Sequence, residues 1–192
     1  MTTETTATND GGALDRSKEA AVRNAAATAR RQLYLAFMLG GEVFAIDILR
    51  IREIIEHIKP TAVPMMPPSL RGVINVRGAV VPVIDLAVRF GRPACPVTKR
   101  SCIVIIETVY EEGQPNQQMG IVVDAVSEVL DIPAEDIEPP PEFGARIRID
   151  FISGMGKING KFVVLLDVNR ILSIDEVAVI AAFGQGNESR GA

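Results

Sequence analysis

The segment from Gly72 to Asp85 can be laid over the segment from Gly154 to Asp167 without a gap. Gly72-Val-Ile-Asn-Val-Arg-Gly78 with Val81 and Asp85 stands against Gly154-Met-Gly-Lys-Ile-Asn-Gly160 with Val163 and Asp167. A unit this short cannot bury its own apolar face, so a chain that carries it twice is expected to pack two copies against one another. In each copy a strand runs into a glycine turn, an apolar strand returns, and an aspartate stands where it caps a short helix, Leu86 to Phe90 or Val168 to Leu172. Asn159-Gly160 is the strongest hairpin signal in the chain, since both central positions of a two-residue turn favour residues tolerant of positive φ. Arg77-Gly78 occupies the matching place. Upstream, Ile51-x-Glu53-Ile54-Ile55 is echoed by Val126-x-Glu128-Val129-Leu130. The expected fold class is mainly β, two small antiparallel barrels packed together.

Between polar ends the pattern is mostly strands. Leu33, Leu35, Phe37 and Leu39 alternate with Tyr34, Ala36 and Met38, and Gly40-Gly41 turns the chain into Val43 to Ile46, an opening hairpin. Ile48, Ile51, Ile54, Ile55 and Ile58 recur at helical spacing behind Asp47 until Pro60, which predicts a short amphipathic helix. Further strands are expected at Gly72 to Val76, Val80 to Ile84, Cys102 to Glu107, Met119 to Val123, Lys157 to Ile158 and Lys161 to Leu166. The polar stretch Glu111 to Gln118 reads as a hairpin loop. Ser173 with Glu176 makes a capping box before Val177 to Phe183, predicting a closing helix over 174–183. The two modules, expected to be intertwined, are placed roughly at 41–95 and 100–172, with the strand 31–39 added. Residues 1–30 and 184–192, polar and poor in large apolar groups, are expected to be flexible tails.

Composition narrows the function classes. The chain has 192 residues and is 47% hydrophobic, enough to build a core without staples. A net charge of -4, with basic residues scattered rather than striped among aromatics, argues against nucleic acid as a partner. No apolar run approaches the roughly 20 residues a membrane-crossing helix needs, and the start is polar where a secretory signal is apolar, so a cytoplasmic protein is expected. The two cysteines, Cys95 and Cys102, lack zinc spacing and are expected to be reduced and packed.

Catalysis lacks its parts. The single histidine, His57, has no nucleophile to serve, and no phosphate-cradling glycine loop, dinucleotide fingerprint or HExxH zinc motif occurs. Asp47, Asp85, Asp124 and Asp167 all follow apolar strands, where capping explains most of them without acid-base chemistry. The acidic run Asp131, Glu135, Asp136 and Glu138 lacks the glycine and ligand rhythm of a calcium loop and reads as a solvated loop. No enzyme, no cofactor and no metal are expected. Arg77 stands apart: its counterpart is Asn159, the residue the turn prefers, so the fold does not require an arginine there. It is either an ordinary exposed turn residue or a multi-donor contact for a partner carboxylate or carbonyl.

These residues carry a resemblance. Leu70-Arg-Gly-Val-Ile-Asn-Val-Arg-Gly-Ala-Val-Val-Pro-Val-Ile-Asp-Leu86 resembles the signature of the CheW family. It is joined in order by Phe44-Ala-Ile-Asp-Ile-Leu-Arg-Ile-Arg-Glu-Ile-Ile55, Met119-Gly-Ile-Val-Val-Asp-Ala-Val126 and Leu165-Leu-Asp-Val-Asn-Arg-Ile-Leu172. The resemblance covers about Arg31 to Phe183. It implies two five-stranded SH3-like barrels with a C-terminal helix, in a non-catalytic chemotaxis adaptor. Its implied partners are the cytoplasmic tips of chemoreceptors and the regulatory domain of a CheA-type histidine kinase, in arrays at the inner face of the membrane. Carried over residue by residue, Arg77 and Asn75 match the Asn-x-Arg-Gly motif associated with receptor coupling. Ile51, Glu53 and Ile54 match a segment tied to the receptor groove or to kinase contacts, and Gly120 and Val126 match the second module's motif. Two other readings stay open on the residues alone: a small β-barrel module that senses a ligand, and an aspartate-based hydrolase.

Overall fold

The computed structural model describes residues 31–108, 116–140 and 148–171. These described residues form eleven strands: β1 (Arg31–Leu39), β2 (Glu42–Asp47), β3 (Ile51–Glu56), β4 (Leu70–Val76), β5 (Ala79–Asp85), β6 (Cys102–Thr108), β7 (Gln117–Val123), β8 (Ala125–Pro133), β9 (Ile137–Glu138), β10 (Ile152–Ile158) and β11 (Lys161–Leu166). Helix α1 (Leu86–Arg89) follows β5 and α2 (Val168–Ile171) follows β11, and single 3-10 turns occupy Ile48–Arg50, Ala134–Asp136 and Ile149–Phe151. The expected tails at 1–30 and 184–192 and the closing helix at 174–183 lie outside the described residues, as does most of the loop 111–118.

The strands form two sheets of matching plan, β3-β6-β7-β5-β4 and β8-β1-β2-β11-β10-β9. In each, a central antiparallel hairpin (β6-β7 or β1-β2) is flanked by an antiparallel neighbour on one side (β3 or β8) and a parallel one on the other (β5 or β11). The central hairpins are exchanged. By sequence β1-β2 precedes the first repeat, yet it pairs with β11 of the second. The hairpin β6-β7 precedes the second repeat and pairs with β5 of the first.

Each sheet closes on itself. The chain leaving β3 returns along the free edge of β4 through paired Thr61 and Val73, while the chain leaving β8 returns along β10 as β9. The glycine that opens each repeat makes this closure possible. A Cβ on Gly72, at φ +133, would stand 2.1 Å from the Thr61 carbonyl oxygen, and one on Gly154 would stand 2.8 Å from an Ile137 methyl and 3.1 Å from the Glu138 carbonyl. A bulge precedes both glycines, at Leu70/Gly72 and Ile152/Gly154. Two barrels result, one from the five-stranded sheet and one from the six-stranded sheet, which agrees with the expected mainly β class.

Three cores hold them. Ile74, Val76, Val81, Val83, Ile103, Ile105 and Val122 fill the first barrel, and Tyr34, Ala45, Ile132, Val163 and Leu165 fill the second. The third and largest lies between the barrels and draws Leu35, Phe37, Phe44 and Ile46 from one sheet and Val104, Ile106, Met119, Ile121 and Val123 from the other. Strands buried on both faces read as unbroken apolar runs rather than alternations. This is why Ile103-Val104-Ile105-Ile106 is wholly apolar: odd residues enter the barrel and even ones the shared core. Cys95 and Cys102 are free thiols, half-buried against that core.

Several expectations need correction. The segment behind Asp47 is no amphipathic helix but one 3-10 turn followed by strand β3, which pairs with β6. Spacing of three and four also fits a short bulged strand, and β-branched isoleucines favour the pleated alternative once β6 offers a partner. Strand β8 was not foreseen, because Ser127, Glu128 and Asp131 interrupt its apolar pattern. The acidic run near Pro133 is solvated but is not a loop: its members sit on β8, a 3-10 turn and β9. Gln117 and Gln118 extend β7 rather than belonging to the loop, and β10 begins at Ile152 rather than Lys157.

Candidate protein-docking surface

The turn that carries Arg77 is the first barrel's copy of a repeated device. Val76 pairs with Ala79 and Ile158 with Lys161, leaving Arg77-Gly78 and Asn159-Gly160 as two-residue turns. All four residues have positive φ: +50 and +90 in the first, +49 and +76 in the second. Asparagine enters this left-handed region readily, whereas other non-glycine residues pay about 1–2 kcal/mol for it. Arg77 therefore occupies a backbone conformation that Asn159 shows to be better served by another residue.

Its neighbours hold the turn and direct the guanidinium. The Asn75 side-chain oxygen accepts from Gly78 N–H at 3.0 Å, bracing the turn from outside. Arg77 Nη2 meets Glu53 Oε2 at 3.0 Å, joining the hairpin tip to β3, yet 82% of the Arg77 side chain remains accessible. The exposed pair is worth at most about 1 kcal/mol, so it positions the guanidinium more than it consumes it. A bulge at Ile51/Glu53 turns β3 over. Ile51 faces the shared core, whereas Ile54 pairs with Val104 on the core-facing side but lies at its margin, 42% exposed. One β3 neighbour of Glu53, Arg52, grips both oxygens of Glu107 at 2.5 Å. Hydrogen bonds from Arg52 and, behind it, Asn116 hold the Glu107 carboxyl below its ordinary value.

With a twin-barrel fold and an exposed arginine at one hairpin tip established, comparison with known proteins identifies the line. A family profile described as CheW-like domain matches residues 33–176. The chain belongs to the CheW family. A chemotaxis protein CheW from Klebsiella aerogenes is 35% identical over 78% of this chain and 86% of its own length, and one from Helicobacter pylori is 36% identical over 74% and 82%. Among solved structures, the scaffolding protein TtCheW from Thermoanaerobacter tengcongensis superposes with a TM-score of 0.67 at 32% identity, covering 76% of this chain and 90% of that one.

Within this CheW-like frame the candidate residues divide. Arg77, Asn75, Glu53 and Ile54 belong to the first barrel, and the structure brings Arg77 together with Glu53 and, through the turn, with Asn75, while Ile54 faces the other way along β3. Ile51 and Val126 hold equivalent places in the two barrels and both pack against the shared core. Gly120 is buried in β7, where a Cβ would stand 2.7 Å from an Ile103 methyl and 3.3 Å from one of Val83; its role is to let β5, β6 and β7 approach. The aspartates are occupied by backbone amides: Asp47 accepts from Leu49 N–H, Asp85 from Val88 N–H, Asp124 from Gly40 N–H and Asp167 from Asn169 N–H. His57 follows β3, half-buried, with its backbone N–H bound to the Ser101 carbonyl. The Glu53–Arg77 pair escaped sequence reasoning because it joins residues 24 apart; only the mismatch of Arg77 with its turn hinted at it.

Proposed function

We propose that this protein is a non-catalytic chemotaxis adaptor of the cytoplasm, coupling the helical cytoplasmic tips of chemoreceptors to the regulatory domain of a CheA-type histidine kinase. A receptor helix lays apolar residues along the margin of the shared core beside Ile54, and Arg77, steadied by Glu53 and Asn75, fixes its register. The observation that carries this reading is Arg77 itself: an arginine side chain 82% accessible, on a backbone that suits asparagine better. A strained residue kept at an exposed tip is an indicator of a contact made elsewhere. The absence of a helix long and apolar enough to cross a membrane among the described residues accords with a partner that reaches receptors from outside the bilayer. Interfaces of this kind are modest singly, and an array multiplies them.

Co-sedimentation tests the reading. The protein is expected to pellet with receptor signalling fragments together with the kinase, and to lose about tenfold in affinity for the receptor fragment on Arg77→Ala, the cost of a charge-assisted hydrogen bond of about 1.5 kcal/mol. Failure to join either partner would sink it.

A further inference from the structure

The two barrels differ where each repeat's aspartate ends its strand. In the first, Asp85 N–H donates to the Ser69 carbonyl at 2.8 Å, and the bulged residue of β4, Arg71, sets Nε at 2.9 Å and Nη2 at 2.5 Å from Asp85 Oδ2. The Asp85 side chain is 3% exposed, so this guanidinium seals it. In the second barrel the frame recurs, with Asp167 N–H donating to the Phe151 carbonyl at 2.9 Å. The bulged residue of β10, however, is Ser153, whose hydroxyl donates to the Leu165 carbonyl at 3.1 Å.

Among the described residues, none extends from the bulge to Asp167 as Arg71 does to Asp85. Instead a cavity of about 190 Å³ opens, with Ile46, Leu166 and Val168 as apolar walls and Tyr34, Asp47, Ser153, Asp167 and Asn169 as polar ones. One water needs only about 10–15 Å³, so a side-chain head group has room. The parallel neighbour adds a second carboxylate: Asp47 ends β2 beside β11, where Val122 stands opposite Asp85 in the first barrel. Among the described residues, two cations face the site. Arg170 Nε reaches Asp167 Oδ2 at 3.3 Å from outside, with its side chain 67% exposed. Arg50 lines the wall, and neither it nor Asp47 takes part in an ion pair among the described residues.

We propose that this cavity is a socket for an arginine side chain presented by a partner protein, which takes in the second barrel the place Arg71 takes in the first. The repeat itself supplies the ligand class. Asp85, the equivalent of Asp167, is shown holding a planar guanidinium, and a fork of N–H donors suits paired carboxylates better than a lysine ammonium does. The socket is on a different barrel from Arg77 and does not depend on the adaptor reading.

The test is an amide NMR titration of the full chain with acetyl-Gly-Arg-Gly-amide. Saturable shifts at Ser153, Asp167 and Asn169 are expected, with a lysine peptide weaker by about threefold or more. Ser153→Arg, which rebuilds the Arg71 arrangement within the chain, is expected to abolish the response while leaving the rest of the spectrum in place. Asp47→Asn keeps an oxygen for Leu49 N–H and removes one charge, and is expected to weaken the arginine peptide about fivefold or more even if Ser153→Arg does not fold. The proposal is overturned by an absence of saturable shifts, by an undiminished response in the variants, or by magnesium chloride shifting the same amides as strongly as the peptide.

Discussion

Arg77 and Asn159 have the same backbone, and only one of them is comfortable on it. Replacing Arg77 with asparagine relieves a left-handed strain of about 1 kcal/mol and gives up an exposed ion pair worth about 0.5 kcal/mol, so Arg77→Asn should melt at or about 1–2 °C above the parent in a thermal scan. A lower melting temperature would show that the arginine serves the fold. Gly120 is the opposite case, a residue whose missing side chain is its contribution. Gly120→Ala forces a Cβ against Ile103 and Val83 and should cost about 1–3 kcal/mol in denaturant unfolding. The arginine's oddness was legible in the sequence because turn chemistry is local. The glycine's burial was not, since three strands, one from the first repeat and two from the hairpin before the second, meet there.

At the scale of elements, legibility followed how far each strand depends on a distant partner. The hairpins at Gly40-Gly41, Arg77-Gly78 and Asn159-Gly160 announce themselves through their turns. Strand β3 did not, because its isoleucines satisfy helical spacing and only pairing with β6 decides the matter. Closure of each barrel rests on one glycine. Gly72→Ala meets both a left-handed φ and the Thr61 carbonyl, and should cost about 3 kcal/mol with loss of amide-exchange protection at Val73, whose N–H bonds that carbonyl. The tie between β3 and β6 through Glu107 is acid-sensitive. Its carboxyl titrates below the ordinary glutamate value in the folded state, so its contribution is complete above that ordinary value and is lost as pH falls through the lower one. Glu107→Gln should therefore flatten part of the acid limb of the stability curve, seen as a smaller difference from the parent at low pH than at neutral pH.

For the whole molecule, the repeat foretold two related barrels but not their exchange of hairpins, since a repeat identifies units and says nothing of which unit pairs with which. Each barrel borrows its central hairpin from the other half of the chain, and the largest core lies between them. A fragment of residues 31–98 lacks β6 and β7 and leaves Ile74, Val81 and Val83 without the strands that cover them. It should show no cooperative melting by circular dichroism, whereas the full chain should unfold in a single transition. This rigidity is what allows one hairpin tip to present Arg77 at a fixed place. Receptor-dependent control of kinase phosphorylation by Arg77→Asn, measured beside its melting curve, tests the adaptor role most directly. Control should be lost while the fold stays intact; unimpaired control by that variant would contradict the role given to this guanidinium.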